Sequence, residues 1–276
     1  MCPSVTKGIR QPPFTAEASG LFHGVESAVA ETLGIRSYRH KSAVDALCRR
    51  GTASQNCNEL VDTMLALCVA NWTRNVSHSG RRPSRQNWRW FDPKSYIAKH
   101  NRSPEVSLER ALIGACIEKG RRDWSNQVPV ASGLIGPLDG RRRAIDLVHQ
   151  RSISAFDFVE LKVGSDNPLY AAVEIVLYGL IWLLSRRHRA TLGYAGNPLI
   201  EARDIHLSVL APRSFYRNAD WTWLSGALDD SLCRVGRQND GLELRFGFEE
   251  FPPDFRWPAD LSAEQLLGHF DGRQAR

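Results

Sequence analysis

Apolar residues recur at helical spacing over residues 21–34. They do so more strongly over 58–72, where Leu60, Met64, Leu67 and Cys68 share one face. A third helix opens at Ser103, a capping residue followed by Pro104 at the first helical position. Its stripe is Leu108, Leu112, Ala115 and Cys116, and Gly120 ends it. The pattern then changes to strands at 126–135, 144–148 and 156–163, with a turn at 136–140 and a polar connection at 149–155. A helix over about 167–187 is apolar on nearly every side and is expected to lie against the sheet. A strand at 204–211, a mostly helical stretch at 213–234 and an alternating strand at 241–248 follow. Residues 1–20 read as a loose arm, and a short helix is expected after Asp92. The expected fold is α/β, with a helical N-terminal portion over 1–100 and a mixed sheet flanked by helices over 101–276.

Two of these strands carry charges. Side chains alternate across a strand, so Glu160 and Lys162 share a face while Val159, Leu161 and Val163 fill the other. The charged face begins with Phe156 and Phe158, as at the rim of a cleft. Asp146 interrupts the run 144–148, and a modest register between neighbouring strands would set it beside Glu160. A cross-strand ion pair on a solvated face would produce the same pattern. Lysine is scarce, however, with 6 against 30 arginines. A position needing only positive charge would more often be arginine, and a lysine there suggests a compact ammonium site. Two carboxylates and an ammonium at one point could hold Mg2+ or Mn2+ and orient a water toward a phosphate.

Asp146, 13 intervening residues, and then Glu160-Leu161-Lys162 resemble the motif of the PD-(D/E)XK nuclease superfamily, with Ile145 in place of the proline. The order helix, three strands, helix, strand over about 103–211 is similar to the αβββαβ core of its restriction-endonuclease-like fold. The resemblance implies a metal-dependent phosphodiesterase in which Asp146 and Glu160 hold the metal and Lys162 assists the attacking water. It also implies a further acid from the helix before the sheet, matched by Glu109 or, in its stead, Glu105. Glu174 and Tyr178, four residues apart on the long helix, are similar to the Gln-x-x-x-Tyr pair of the exonuclease-type branch, with glutamate for glutamine.

Composition changes this picture little. The 276 residues are 42% hydrophobic and 24% charged, and the net charge of +6 favours an acidic partner, nucleic acid first and a membrane surface second; among nucleic acids DNA is expected ahead of RNA. Residues 73–92 interleave Arg81, Arg82, Arg85 and Arg89 with Trp88 and neighbouring tryptophans. That segment is either a nucleic-acid-binding loop or a connector whose indoles pack on the core. Trp221, Trp223 and Trp257 would suit a protein interface or homodimer as well as a core. Six scattered cysteines without C-x-x-C spacing point to reduced thiols. Lys7, Arg10 and a Pro-Pro pair interrupt the N-terminus, so a cytoplasmic protein without a membrane span is expected. No nucleophile elbow, dinucleotide or Walker loop, or H-x-x-x-H spacing is present, which sets serine hydrolases, nucleotide enzymes and zinc enzymes aside.

Overall fold

The computed structural model describes residues 20–50, 57–76, 83–90, 93–94, 100–134, 143–164 and 166–276. Its centre is a six-stranded mixed sheet in which spatial order follows chain order. Strands β1 (Trp124–Pro129), β2 (Ala144–Ser152) and β3 (Ala155–Leu161) pair antiparallel. Strands β4 (Asp204–Ala211) and β5 (Glu243–Glu250) continue parallel to β3, and the short β6 (Gln274–Ala275) closes the edge antiparallel. Parallel neighbours require crossovers. These are helix α5 (Pro168–Arg187) between β3 and β4 and helix α8 (Thr222–Gln238) between β4 and β5. The short helices α6 (Arg189–Leu192) and α7 (Pro198–Glu201) lead from α5 into β4.

Two apolar layers cover the sheet. On one face α5 and α8 pack together with α1 (Val25–Thr32), α2 (Lys41–Arg50) and α3 (Leu60–Val76), around Phe156, Phe158 and Leu207. On the other face α4 (Pro104–Glu118) and α9 (Ala263–Asp271) cover Leu147, Val159 and Leu161. The odd and even positions of β3 therefore divide between the layers as strand alternation requires. The helical N-terminal portion shares one core with the sheet: Val25, Val29, Leu60 and Met64 belong to the same cluster as α5.

Helix α5 owes its all-round apolar character to this sandwich, with sheet on one side and α3 on the other. Asn167 caps it, its side chain accepting from the Tyr170 N–H (3.0 Å). By length and composition α5 could cross a membrane, yet 89% of its most apolar window is buried within the protein. Gly179 lets it approach the sheet, since a Cβ there would lie 2.4 Å from Leu207 Cδ1. Gly236 does the same for α8, where a Cβ would meet the Leu242 carbonyl oxygen at 2.6 Å.

Several boundaries differ from the sequence reading. The first strand begins at Trp124 and ends at Pro129, short of the expected 135, because Pro129 offers no further N–H and the chain turns at Gly133 (φ 75). Strand β2 continues through His149 to Ser152, which shrinks the expected connection to a tight turn at Ile153 and Ser154. The polar residues there stay in the ladder because His149 and Arg151 pair with Asp157 on the neighbouring strand. Helix α2, helix α9 and strand β6 went unread, although the capping box of Ser262 and Gln265 was a legible start for α9. The turn at 136–140, the arm up to residue 19 and the expected helix just after Asp92 lie outside the described residues. Among the described residues Cys68, Cys116 and Cys233 are free thiols, as expected.

Replacing Gly236 by alanine should push α8 off β5 and cost about 1–3 kcal/mol as an overpacked contact. Urea denaturation should show a lower midpoint at unchanged slope, and an unaltered midpoint would show that the helix shifts without cost.

Candidate functional site

The register of β2 and β3 pairs Leu147 with Val159, and one step further along the same register Asp146 stands across from Glu160. Asp146 Oδ2 accepts the Leu161 N–H at 3.1 Å, which fixes its side chain against β3. Past the end of β3, the Lys162 N–H donates to the Leu210 carbonyl of β4 (3.0 Å), holding the lysine beside the sheet. Its ammonium lies 2.8 Å from Glu160 Oε1, 3.3 Å from Asp166 Oδ2 and 4.0 Å from Glu174 Oε2. Tyr178 donates its hydroxyl to Glu174 Oε1 at 3.1 Å, one turn along α5. The two strands, the loop after β3 and the second turn of α5 thus bring Asp146, Glu160, Lys162, Glu174 and Tyr178 together.

The helix before the sheet supplies the acid from two positions with different work. Glu105 tethers the loop after Lys162, its Oε1 accepting the Val163 (3.2 Å) and Gly164 (3.3 Å) N–H groups. Glu109, only 2% exposed, turns toward β1 and accepts from the side-chain amides of Asn126 (2.9 Å) and Gln127 (3.1 Å). Gln127 falls opposite Asp146 in the β1–β2 register and has φ 46, so β1 is bent at that point. The bend is held from outside, where Arg89 donates to the carbonyls of Asn126 (3.1 Å) and Gln127 (2.7 Å).

Negative charge exceeds positive at this place. Burial is the main cause that lifts the Glu109 carboxyl to about 9, and the charge on Asp146 adds to it. Burial likewise pushes Asp146 up to about 6 against the opposing pull of Lys162. Glu160 is raised well above the ordinary range by burial and then by Asp146. For Lys162 burial acts downward, but Glu160 and Asp146 outweigh it and hold the ammonium above its usual range. Burial, followed by the charge of Glu174, keeps Tyr178 protonated.

Among the described residues, no group of three His, Cys, Asp or Glu side chains is placed to hold a metal ion. Asp146, half-buried, and Glu160, buried and paired with Lys162, do supply two carboxylates from adjacent strands. Mg2+ is commonly held by one or two carboxylates, with waters and substrate phosphates completing its octahedron. The pair therefore fits such an ion, with Lys162 as its neighbour. Both Glu109 oxygens are already engaged by amides, which leaves that carboxylate beside the pair.

Within the basic segment, Arg89 reaches the strand beside Asp146. Trp88 is fully buried and stacks on Phe158 (6.2 Å), and Trp90 meets Phe156 edge-on (5.2 Å), so these indoles pack on the core and Trp88 is closed to a base. The guanidinium of Arg89 is spent on the β1 carbonyls, which corrects the expectation that it contacts phosphates. Arg85 is exposed, but it lines a cavity with residues 190–197 beyond the C-terminal end of α5. Glu174 lies 13 residues before that end, about 20 Å away along the helix. Arg81 and Arg82 lie outside the described residues. Trp221 is buried against Phe248, and Trp257 donates to Ser107 Oγ (2.9 Å), so these tail tryptophans serve internal packing. The sequence reading missed Asp166, Asn126 and Gln127. It also missed Arg39 and Arg143, which line a cleft opening onto Glu174 and Tyr178. Compared with protein-family models, curated proteins and solved structures, the chain matches none.

The Glu109 proton has a consequence for stability. Its carboxyl is raised from 4.5 to about 9 on folding, so the native state holds this proton more tightly than the unfolded chain does. The contribution is complete below pH 4.5 and is lost as the pH rises toward about 9. In a chelator the stability of the wild type should fall as the pH rises through that window. Glu109→Gln should flatten the profile. Denaturation midpoints measured through the window would refute this if both proteins declined alike.

Proposed function

We propose that this protein is a metal-dependent nuclease of the PD-(D/E)XK type, built on the restriction-endonuclease-like fold and acting on DNA ahead of RNA. The observation that supports the reading most is the opposition of Asp146 and Glu160 across adjacent strands, with the Lys162 ammonium 2.8 Å from Glu160. The order α4, β1, β2, β3, α5, β4 agrees with the αβββαβ core, and agreement between motif and topology carries more than either alone.

In this reading Asp146 and Glu160 hold Mg2+, or Mn2+ in its place. When bound, the ion makes a water nucleophilic at neutral pH and offsets charge on the leaving oxygen. Lys162, kept protonated by its carboxylates, orients that water and faces the charge growing on the phosphate. Glu174 shares the ammonium with Glu160 and, held by Tyr178, limits its swing. Glu105 fixes the backbone that carries Lys162, and Glu109 with Asn126 and Gln127 backs the strand beside Asp146.

One observation favours a second reading, a binding module or accessory subunit without catalysis. The ammonium already has carboxylate partners, and buried ion clusters of this kind also occur as structure. Cleavage separates the two. Wild-type protein in Mg2+ or Mn2+ should hydrolyse nucleic acid, and Glu160→Gln and Lys162→Met should each slow it by about 10²–10³-fold. Both variants should keep their nucleic-acid affinity, since most affinity comes from phosphate contacts elsewhere. A wild type that cuts nothing, with variants indistinguishable from it, would reject the enzyme in favour of the module.

A further inference from the structure

Residues 38–41 cross the mouth of the acid–lysine site. The Asn167 side chain, which caps α5, also donates to the Tyr38 carbonyl (2.9 Å), and the Tyr38 ring stacks on Tyr170 of the first turn (5.9 Å). From behind, Asn71 of α3 holds the carbonyls of Leu21 (3.0 Å) and His23 (2.9 Å) at the start of the same N-terminal segment. This strap divides the approach in two. On one side Tyr38 and Arg39 line a cleft of about 120 Å³ with Arg143, Tyr170 and Glu174. On the other, Lys41 and Asp45 line a cleft of about 240 Å³ with Gly164 and Asp166. The Lys162 ammonium lies between Asp166 of one cleft and Glu174 of the other.

We propose, resting on the nuclease reading, that this site takes a single nucleic-acid strand, drawn beneath residues 38–41 from one cleft to the other across Lys162. Size is the first ground. The smaller cleft has a volume of about 120 Å³. That is room for one phosphodiester and its waters, whereas the major groove of a duplex alone is about 12 Å wide. Beside the strap, Glu160 and Lys162 are 4% and 7% exposed.

Chemistry is the second ground. A cation stands at each mouth, Arg39 and Arg143 at one and Lys41 at the other. Arg143 lies over the Phe22 ring (4.3 Å) with its Nε buried and without a hydrogen-bond partner, an orphan donor that a phosphate oxygen would satisfy. Arg39 is exposed, lies over the Tyr170 ring (5.2 Å) and rests on Glu26 (2.7 Å). An exposed pair of that kind is worth little, so exchanging the carboxylate for a phosphate costs little. Arginines beside aromatic faces are the usual platform for single strands, where bases stack without sequence preference.

The test measures binding by fluorescence anisotropy in a chelator, to a labelled single strand, a blunt duplex and the same duplex with a single-stranded tail. The single strand and the tailed duplex should bind at least about tenfold tighter than the blunt duplex, the equivalent of one stacked base. Arg143→Ala should lower the slope of log affinity against log salt for the single strand by about 0.7. Lys41→Ala, at an exposed position where folding is not at stake, should lower it equally. Equal affinity for blunt duplex, or slopes unchanged in both variants, would overturn the proposal. The same substrates in Mg2+ separate the two readings. Cleavage of blunt duplex as fast as single strand removes the strand selection and leaves the nuclease. A retained single-strand preference without cleavage removes the nuclease and supports the strand selection.

Discussion

A single ammonium, that of Lys162, is what the central region of this protein depends on. A buried carboxylate is costly unless something offsets it, and here buried Glu160 and half-buried Asp146 and Glu174 converge on one cation. That cation is placed by backbone from three elements: β4 accepts the Lys162 N–H, α4 caps the next two N–H groups through Glu105, and β3 carries Glu160 two residues before. Moving any of these elements would strand a carboxylate. Burial is the main cause that raises the Glu109, Asp146 and Glu160 carboxyls, and the charge of Asp146 adds to it at Glu109 and Glu160.

The contrast with the other end of β3 is instructive. Asp157 is as buried as Glu160, yet its carboxyl lies below the usual range. Burial acts upward there, but a hydrogen bond from His149 and the charges of Arg151 and Arg273 outweigh it. Glu249 shares Arg273 at 3.0 Å, and Asp204 shares Arg151 at 2.7 Å. That cluster balances itself and reads as structure, although it borders a cavity of about 440 Å³. Excess negative charge, rather than the mere presence of charged groups in a cavity, is what distinguishes the Asp146 site.

Much of this site was legible in the sequence because it rests on short-range rules. Strand alternation put Glu160 and Lys162 on one face, a short connection put Asp146 opposite Glu160, and helical spacing put Tyr178 over Glu174. What was not legible depends on partners far along the chain. Trp88 and Arg89 have the composition of a nucleic-acid loop, and only their docking on Phe158 and on the β1 carbonyls makes them core and clamp. Nothing in residues 38–41 announces a strap, since its anchor is Asn167, which the sequence shows only as the start of a helix. The bend at Gln127 is likewise invisible, because glutamine has no marked preference for positive φ.

The enclosure of α5 also bears on how the chain reaches its native state. Helix α3 is completed by residue 76 and packs on α1, but α5 and α8, which it also packs against, begin at residues 168 and 222. During synthesis the face of α3 that will meet α5 and α8 emerges long before those partners exist. Contacts of such sequence separation form slowly because a long loop must close first. Until α5 arrives, the early helices are bare amphipathic surface, and until they return, so is the outer flank of α5. Shielding of the nascent N-terminal helices is therefore a requirement of this architecture, set by chain connectivity and independent of the chemistry at its centre.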